Sequence, residues 1–294
     1  MDLSTVSNRV KINQGVNEIE LDPFNFLPDE IVLNIFSYLP FRELSKICLM
    51  SRRWDRLAND LPLLKKAIYN DHQLAFGNKA WAKCSGLESI GESDTEEFES
   101  LAKDIGKILK SPCPAFPGKR VGETHMLVRI PKTFDGKPFS LKTLGEIAKK
   151  HFPKTENGYR YMWSEVMNKI GNQSVDESSW VLMTKKVLEG SRSKSYADQG
   201  IMLADLAKKA RVAYEVPETL MAVACIFAQY FGSGIRLFND DPLTYIRCKE
   251  DVQGKKVVVG GFSGFEEEDA RAGLDVNYFG NYDSGIIGVA ALRK

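Results

Sequence analysis

Two serine motifs, three histidines and five cysteines carry the residue types from which a catalytic site would be built. Ser191-x-x-Lys194 has the spacing at which a lysine activates a nucleophilic serine, but the S-D-N and K-T-G elements of that chemistry are missing. A four-residue match arises readily by chance. Gly260-Gly-Phe-Ser-Gly264 approaches G-x-S-x-G, yet the closing glycine would have to be residue 265, which is Phe265. These glycines read as a tight turn that ends a strand. His72, His125 and His151 have no Ser or Cys beside them in sequence, and each is expected to be a surface or strand residue rather than a general base. Cys113, between two prolines, and Cys248, in a strand, are the thiols an acyl-transfer reaction would use, and the sequence shows neither the lowered pKa nor the exposure it needs.

Cys48, Cys84, Cys113, Cys225 and Cys248 form no C-x-x-C pair and have no histidine at ligand spacing. No disulfide framework, metal site or cofactor is expected, and a reducing compartment fits. The densest positive cluster of the second half is Lys185, Lys186, Arg192 and Lys194, with Tyr196 and Gln199 beside it. Such a cluster is usually a solvated face; its functional reading is a partner patch for an acidic surface. Glu266 to Asp269 reads as a charged hairpin tip.

The elements that must position these residues alternate without a βαβ repeat. Leu61 to Lys83 is predicted helical, with Leu63, Leu64, Ala67 and Ile68 on one face, and Phe76 to Trp81 is a packing segment. Gly91 to Glu99 is predicted to be an exposed acidic loop leading to a short helix over Phe98 to Leu109. Ser111 to Gly118 holds three prolines, which remove backbone donors and fix φ, so no regular element is expected there. Strands are predicted over Thr124–Ile130, Trp180–Val187, Leu243–Glu250, Lys255–Gly261, Gly273–Tyr278 and Ile286–Leu292. Helices are predicted over Leu141–Phe152, Tyr159–Ile170, Asp198–Ala213 and Glu218–Phe231; the last is apolar nearly all round and should be buried. No internal repeat is present, so a repeat-built receptor domain is not expected.

The chain has 294 residues, 43% of them hydrophobic, with 40 Lys+Arg against 39 Asp+Glu. A formal charge of +1 offers no footprint for nucleic acid, and the longest apolar run, Leu220 to Phe231, is too short to cross a bilayer. Met1 to Asp22 has no apolar core or small-residue cleavage site of the Sec type and reads as a flexible polar tail.

The N-terminal third is the most informative region. Pro28 suits a first helical position, and Asp29 and Glu30 place negative charge in the first turn. Ile31, Ile35 and Leu39 recur on one face while Val32 and Phe36 mark a second stripe, which implies two neighbours. Pro40 interrupts the pattern; Leu44, Ile47 and Cys48 rebuild a face, and Trp54, Leu57 and Ala58 continue it behind Arg52 and Arg53. Three short helices in roughly 45 residues bury too little surface to stand alone, and no disulfide or metal is available here. The surplus stripe is expected to be covered by another protein.

Leu27-Pro-x-Glu-Ile31, Ile35-Phe-x-Tyr-Leu39, Glu43-Leu44 and Met50-Ser-Arg-Arg-Trp54 resemble the F-box in order and spacing, with Met50 where that family usually has Val. The resemblance implies three helices that dock on a Skp-type adaptor and, through it, on a cullin-RING ubiquitin ligase. Leu27, Pro28, Glu30, Ile31, Ile35, Leu39, Leu44, Met50 and Trp54 fall on the family pattern as adaptor-binding or supporting residues. Trp180 to Lys185, Gly190 to Gln199, Thr244 to Cys248 and Ile287 to Lys294 are similar to the C-terminal domain of F-box proteins from Chlamydia-related bacteria that live inside amoebae. That likeness implies an effector delivered to the cytosol of a eukaryotic host by a non-Sec route.

The expected fold is an N-terminal all-α three-helix F-box followed by an α+β domain with a mostly antiparallel C-terminal sheet. The expected division is a tail over 1–22, the F-box over 23–70, a helical and Pro-rich connection over 71–123 packed on the C-terminal domain, and a substrate-recruiting α+β domain over 124–294. The chain is expected to be a non-enzymatic adaptor for an unknown protein substrate. The alternatives are an enzyme targeted by its F-box, and a decoy that occupies the Skp-type adaptor and recruits nothing.

Overall fold

The computed structural model describes residues 26–70, 74–93, 96–97, 100–101, 104–264, 272–279 and 284–293. The tail over 1–22, His72 and the Glu266–Asp269 tip lie outside them, as do parts of the segment predicted helical over Phe98–Leu109.

Local punctuation sets the first helices. Helix α1, Asp29–Phe36, starts after Pro28; α2, Phe41–Ile47, starts after Pro40; α3, Arg52–Ala58, starts at Ser51. The Ser51 hydroxyl accepts the Trp54 N–H at 3.2 Å, satisfying one of the free donors of the α3 N-terminus. Their shared core is Val32, Phe36, Leu44, Trp54, Leu57, Ala58 and Leu63, with Phe36 and Trp54 edge to face at 5.6 Å. Helix α4, Leu61–Asn70, carries Leu63 toward this core and Leu64 and Ile68 toward a second one with Phe41, Leu101, Ile105, Leu109, Val121, Leu127 and Leu182. The three N-terminal helices are thus joined to the rest of the chain by apolar packing. Lys110 strengthens the join, its ammonium donating to Asn59 Oδ1 at 2.9 Å and to Cys48 Sγ at 3.1 Å.

The helix predicted over Leu61–Lys83 is interrupted. Strand β1, Ala75–Phe76, separates α4 from α5, Asn78–Cys84, because it pairs in parallel with β2, His125–Ile130. The connecting segment therefore contributes a strand and, in fully buried Trp81, the centre of an aromatic cluster with Phe76, Phe139 and Phe231. The predicted acidic loop is also corrected in part. Glu97 is fully buried and accepts the Asn78 backbone N–H at 2.6 Å, while Glu92 Oε1 accepts the Ser178 hydroxyl at 2.6 Å.

Short helices at Ile105–Lys110 and Val121–Thr124 flank the irregular proline segment. A small hairpin of β3, Thr133–Phe134, and β4, Lys137–Pro138, leads to the helix Leu141–Lys149. The helix predicted over Tyr159–Ile170 divides into β5, Tyr161–Met162, and a helix over Ser164–Ile170. Strand β6, Ser179–Thr184, is followed by the helix Tyr196–Ala210, β7 at Tyr214–Glu215, and the helix Thr219–Ser233, whose residues from Thr219 to Gln229 are buried save Met221. The late strands are β8, Tyr245–Val252, β9, Lys255–Ser263, and β10, Gly273–Phe279. The last predicted strand splits into β11, Ile287–Gly288, and β12, Leu292–Arg293, which join different sheets.

The strands form two five-stranded sheets, ordered β1-β2-β6-β12-β7 and β11-β8-β9-β10-β5. The longer ladders, β2 with β6, β8 with β9 and β9 with β10, are antiparallel, as expected. The first sheet gathers strands from the whole chain rather than from its end alone. The apolar helix Thr219–Ser233 packs against both sheets.

Candidate functional site

The sequence pattern of residues 27–54 resolves into three physical roles. Leu44 and Trp54 are core, 0% and 7% exposed, and Leu27 and Leu39 pack half-buried at its margin. Arg53 and Arg56 are clamps. Arg53 donates to Asp29 Oδ1 through Nε at 2.9 Å and also to the Leu27 carbonyl, and Arg56 reaches Asp29 Oδ2 at 2.6 Å. The hydrogen bond from Arg53 leads the causes that hold the Asp29 carboxyl below its usual pKa, and it pins α3 to the start of α1.

The third group faces outward. Ile31 and Ile35, one turn apart on α1, are 47% and 43% exposed, and Met50, between α2 and α3, is 59% exposed. Phe26, Tyr38 and Leu49 are also exposed, an apolar set that periodicity did not single out. The available signal was position: Leu49 and Met50 are large apolar residues in a two-helix connection, where polar residues are the rule. Pro28 and Glu30 are exposed at the α1 entrance. The face is a set of exposed, mostly apolar side chains gathered on the helical end.

In the basic cluster, Arg192 is tied into the fold through its side chain, whereas Lys186 stands exposed. Arg192 donates to Thr244 Oγ1 at 2.6 Å and to the Gly285 carbonyl at 3.1 Å, and the Lys194 carbonyl accepts Arg247 Nη1 at 2.7 Å. Lys185 donates its backbone N–H to Thr124, the Lys186 carbonyl accepts the Thr184 hydroxyl, and the Tyr196 ring lies under Lys256 at 4.3 Å. Gln199 is buried between the Ser191 carbonyl and Arg247.

The nucleophile candidates are also structural. Ser191 is fully buried, donating to the Leu188 carbonyl at 2.6 Å and accepting the Val289 N–H at 3.2 Å. Gly260 and Gly261 do not end a strand: they sit at a bulge inside β9, where Gly260 pairs with Asp275 but Ser263 pairs with Gly273, and Gly264 follows the strand. Gly261 has φ 54°, and a Cβ there would stand 2.6 Å from the Tyr245 hydroxyl, so only glycine fits. Cys113 and Cys248 are buried, and burial pushes the Cys248 thiol well above its usual pKa. His125 Nδ1 meets Thr124 Oγ1 at 2.9 Å; His151 Nε2 meets the Cys84 carbonyl at 3.0 Å and its ring stacks on Phe231 at 4.2 Å. Among the described residues, no hydrogen bond joins either histidine to Ser191, Cys113 or Cys248, and no group of His, Cys, Asp and Glu has a metal-holding arrangement. Among them too, no helix is long and apolar enough to cross a membrane.

Neither the curated proteins nor the solved structures yield a match to the chain. Residues 24–71 match the family model described as F-box-like, the span that holds the clamp, the small core and the outward apolar face. The chain therefore carries an F-box-like domain at its N-terminal end.

Proposed function

We propose that the chain is a substrate-recruiting adaptor of a ubiquitin ligase. Its F-box-like helices hold a Skp-type adaptor and thereby a cullin, and the sheet-rich region selects a protein for modification. The observation that carries the reading is the outward set Ile31, Ile35, Leu49 and Met50 on a domain that matches the F-box-like family. Large exposed apolar side chains gathered in one small region mark a surface that a partner covers. The mechanism is proximity: tethering raises the effective concentration of substrate lysines near the conjugating enzyme, and the chain contributes no catalytic group.

The likeness of the C-terminal segments to F-box proteins of Chlamydia-related bacteria extends the proposal to an effector acting in a host cytosol. The basic residues Lys185, Lys186, Arg192 and Lys194 with Tyr196 belong to it only as a secondary acidic-partner patch, since Arg192 and the Tyr196 ring already have partners within the chain.

The test is co-purification of the full chain with a eukaryotic Skp-type adaptor and cullin, alongside Ile35→Ala/Met50→Ala. Both side chains are more than two-fifths exposed, so the variant should keep its urea midpoint while adaptor affinity falls at least tenfold. Wild-type binding that survives the double substitution unchanged would remove this face from the docking site. No binding by wild type would remove the function.

A further inference from the structure

Two nucleophilic side chains meet where the F-box-like helices join the body. Cys48 caps the C-terminus of α2 and Lys110 ends the helix Ile105–Lys110, 62 residues away in sequence. The side chains nevertheless touch, with Lys110 Nζ 3.1 Å from Cys48 Sγ. The contact is oriented from both sides: Asn59 Oδ1 accepts the same ammonium at 2.9 Å, and the Cys48 thiol donates to the Leu44 carbonyl at 3.3 Å. A nitrogen and a sulfur held in this way have already met most of the entropic cost of reacting with each other.

Surroundings separate this thiol from the other four. Cys113, Cys225 and Cys248 are buried. Cys84 is half-buried like Cys48, but burial pushes its thiol up to about 11, and its hydrogen-bond partners are the Trp81 carbonyl and the Ser85 hydroxyl rather than an amine. Cys48 combines access to a small oxidant with an amine in contact, and Lys110 is itself half-buried beside it.

We infer that Cys48 and Lys110 form a reversible covalent link, a sulfenamide between Sγ and Nζ, when the chain meets a peroxide. The Cys48 thiol gives its proton to water, and the thiolate takes one oxygen from the peroxide as the O–O bond breaks, leaving a sulfenic acid and hydroxide. Sulfur loses two electrons and the peroxide gains them. The hydroxide takes a proton from the Lys110 ammonium; the freed amine attacks sulfur, the S–O bond breaks, and the hydroxyl departs with a second nitrogen proton as water. One peroxide becomes two waters, and the neutral mass of the chain falls by two hydrogen atoms. The link ties the end of α2 to the body and closes the loop between them, which restricts the unfolded chain. It also holds the turn that follows, since the Leu49 and Met50 N–H groups bond to the Lys46 and Ile47 carbonyls in the last turn of α2. That the link bears on docking rests on the adaptor reading above, through that turn; the link itself does not, and its test uses the chain alone.

The experiment is intact-mass measurement and peptide mapping of the full chain after hydrogen peroxide, with the remaining thiols alkylated under denaturing conditions. The expected product is about 2 Da lighter, has lost one alkylatable thiol and joins the Cys48 and Lys110 peptides. Dithiothreitol should restore the starting mass. The urea midpoint of the linked chain should stand above that of the reduced chain. Lys110→Arg keeps the charge but supplies no amine, so Cys48 should stop at the sulfenic acid, captured by dimedone, without the rise in midpoint. A disulfide from Cys48, a link from Cys48 to another lysine, or a Cys48 sulfenic acid that persists in the wild type would each overturn the inference. So would a Lys110→Arg chain that still forms the lighter product, or a Cys48 left reduced.

Discussion

The helical end of the molecule and its sheet-rich body use apolar residues in opposite ways. Among the described residues, seven of the twelve large apolar side chains that stand exposed lie between Phe26 and Leu61. Among the described residues of the much longer body, the exposed ones are Tyr161, Trp163, Ile201, Ile235 and Leu243. Polar groups show the reverse: His125, Gln199, Arg247, Asp275 and Asn277 are all buried in the body. A region that buries charge must pair it internally, and this one does. Asp275 takes both Arg160 and the Tyr245 hydroxyl, and Arg247 takes Gln199 and the Lys194 carbonyl. The body pairs these buried charges internally, while His125 Nε2 and Asn277 Oδ1 are buried with no hydrogen-bond partner; the F-box-like helices instead leave large apolar side chains exposed.

The largest expected effect therefore lies in the body's charge network. Asp275→Ala strips Arg160 of its carboxylate and leaves the Tyr245 hydroxyl without its acceptor next to the β9 bulge. A loss of about 3 kcal/mol is expected from urea unfolding, because buried Asp275 serves two donors that both lose their acceptor, Arg160 keeping partial access to water. A change near zero would mean that water reaches Arg160 and that the body is less self-contained than its contacts imply. Leu44→Ala should cost about 2–4 kcal/mol, since Leu44 is fully buried in a core too small to collapse around the gap. A loss under 1 kcal/mol would show the helical core to be loosely packed.

The next effect is of pH. Burial leads the causes that lower His125 from 6.5 to about 4, with the charges of Arg293 and Lys185 acting the same way. Between these values the unfolded chain takes up a proton that the folded chain refuses, so stability falls as pH drops from 6.5 toward 4. The expected loss between pH 7 and pH 5 is about 2 kcal/mol, and His125→Gln should flatten it. Urea midpoints at the two pH values measure this. An equally steep dependence in the variant would move its origin to other groups.

Legibility in the sequence follows the same divide. The three helices before Asn59 could be read because Pro28, Pro40 and Ser51 mark their starts locally. Which stripe of α1 faces inward could not, because Ile31/Ile35 and Val32/Phe36 are equally apolar, and only packing against Leu44 and Trp54 selects the second pair. In the body, Thr219–Ser233 was legible as a buried helix from its all-round apolar character. Tyr161–Met162 was hidden inside a helical pattern because parallel pairing to β10, over a hundred residues away in sequence, overrides local preference. Gly260-Gly261 read as a turn for a related reason: the requirement is set by Thr244 and Tyr245 on the neighbouring strand. Ser191, whose spacing to Lys194 reads as a chance match, is occupied structurally by Leu188 and Val289.

The smallest stability effect tests the helical end most directly. Ile31→Ser should change the urea midpoint by no more than about 0.5 kcal/mol, because a half-exposed isoleucine returns little transfer free energy and serine costs little in a helix. The same substitution should weaken adaptor binding severalfold, since a complex that covers this face would have to bury the hydroxyl it introduces. A stability loss above 1 kcal/mol in the free chain would mean that Ile31 is already covered by the protein's own residues, and the face would then be a second internal core. Retained stability with lost binding would separate two roles on one helix, with Val32 and Phe36 holding it to the molecule and Ile31 and Ile35 holding the molecule to a partner.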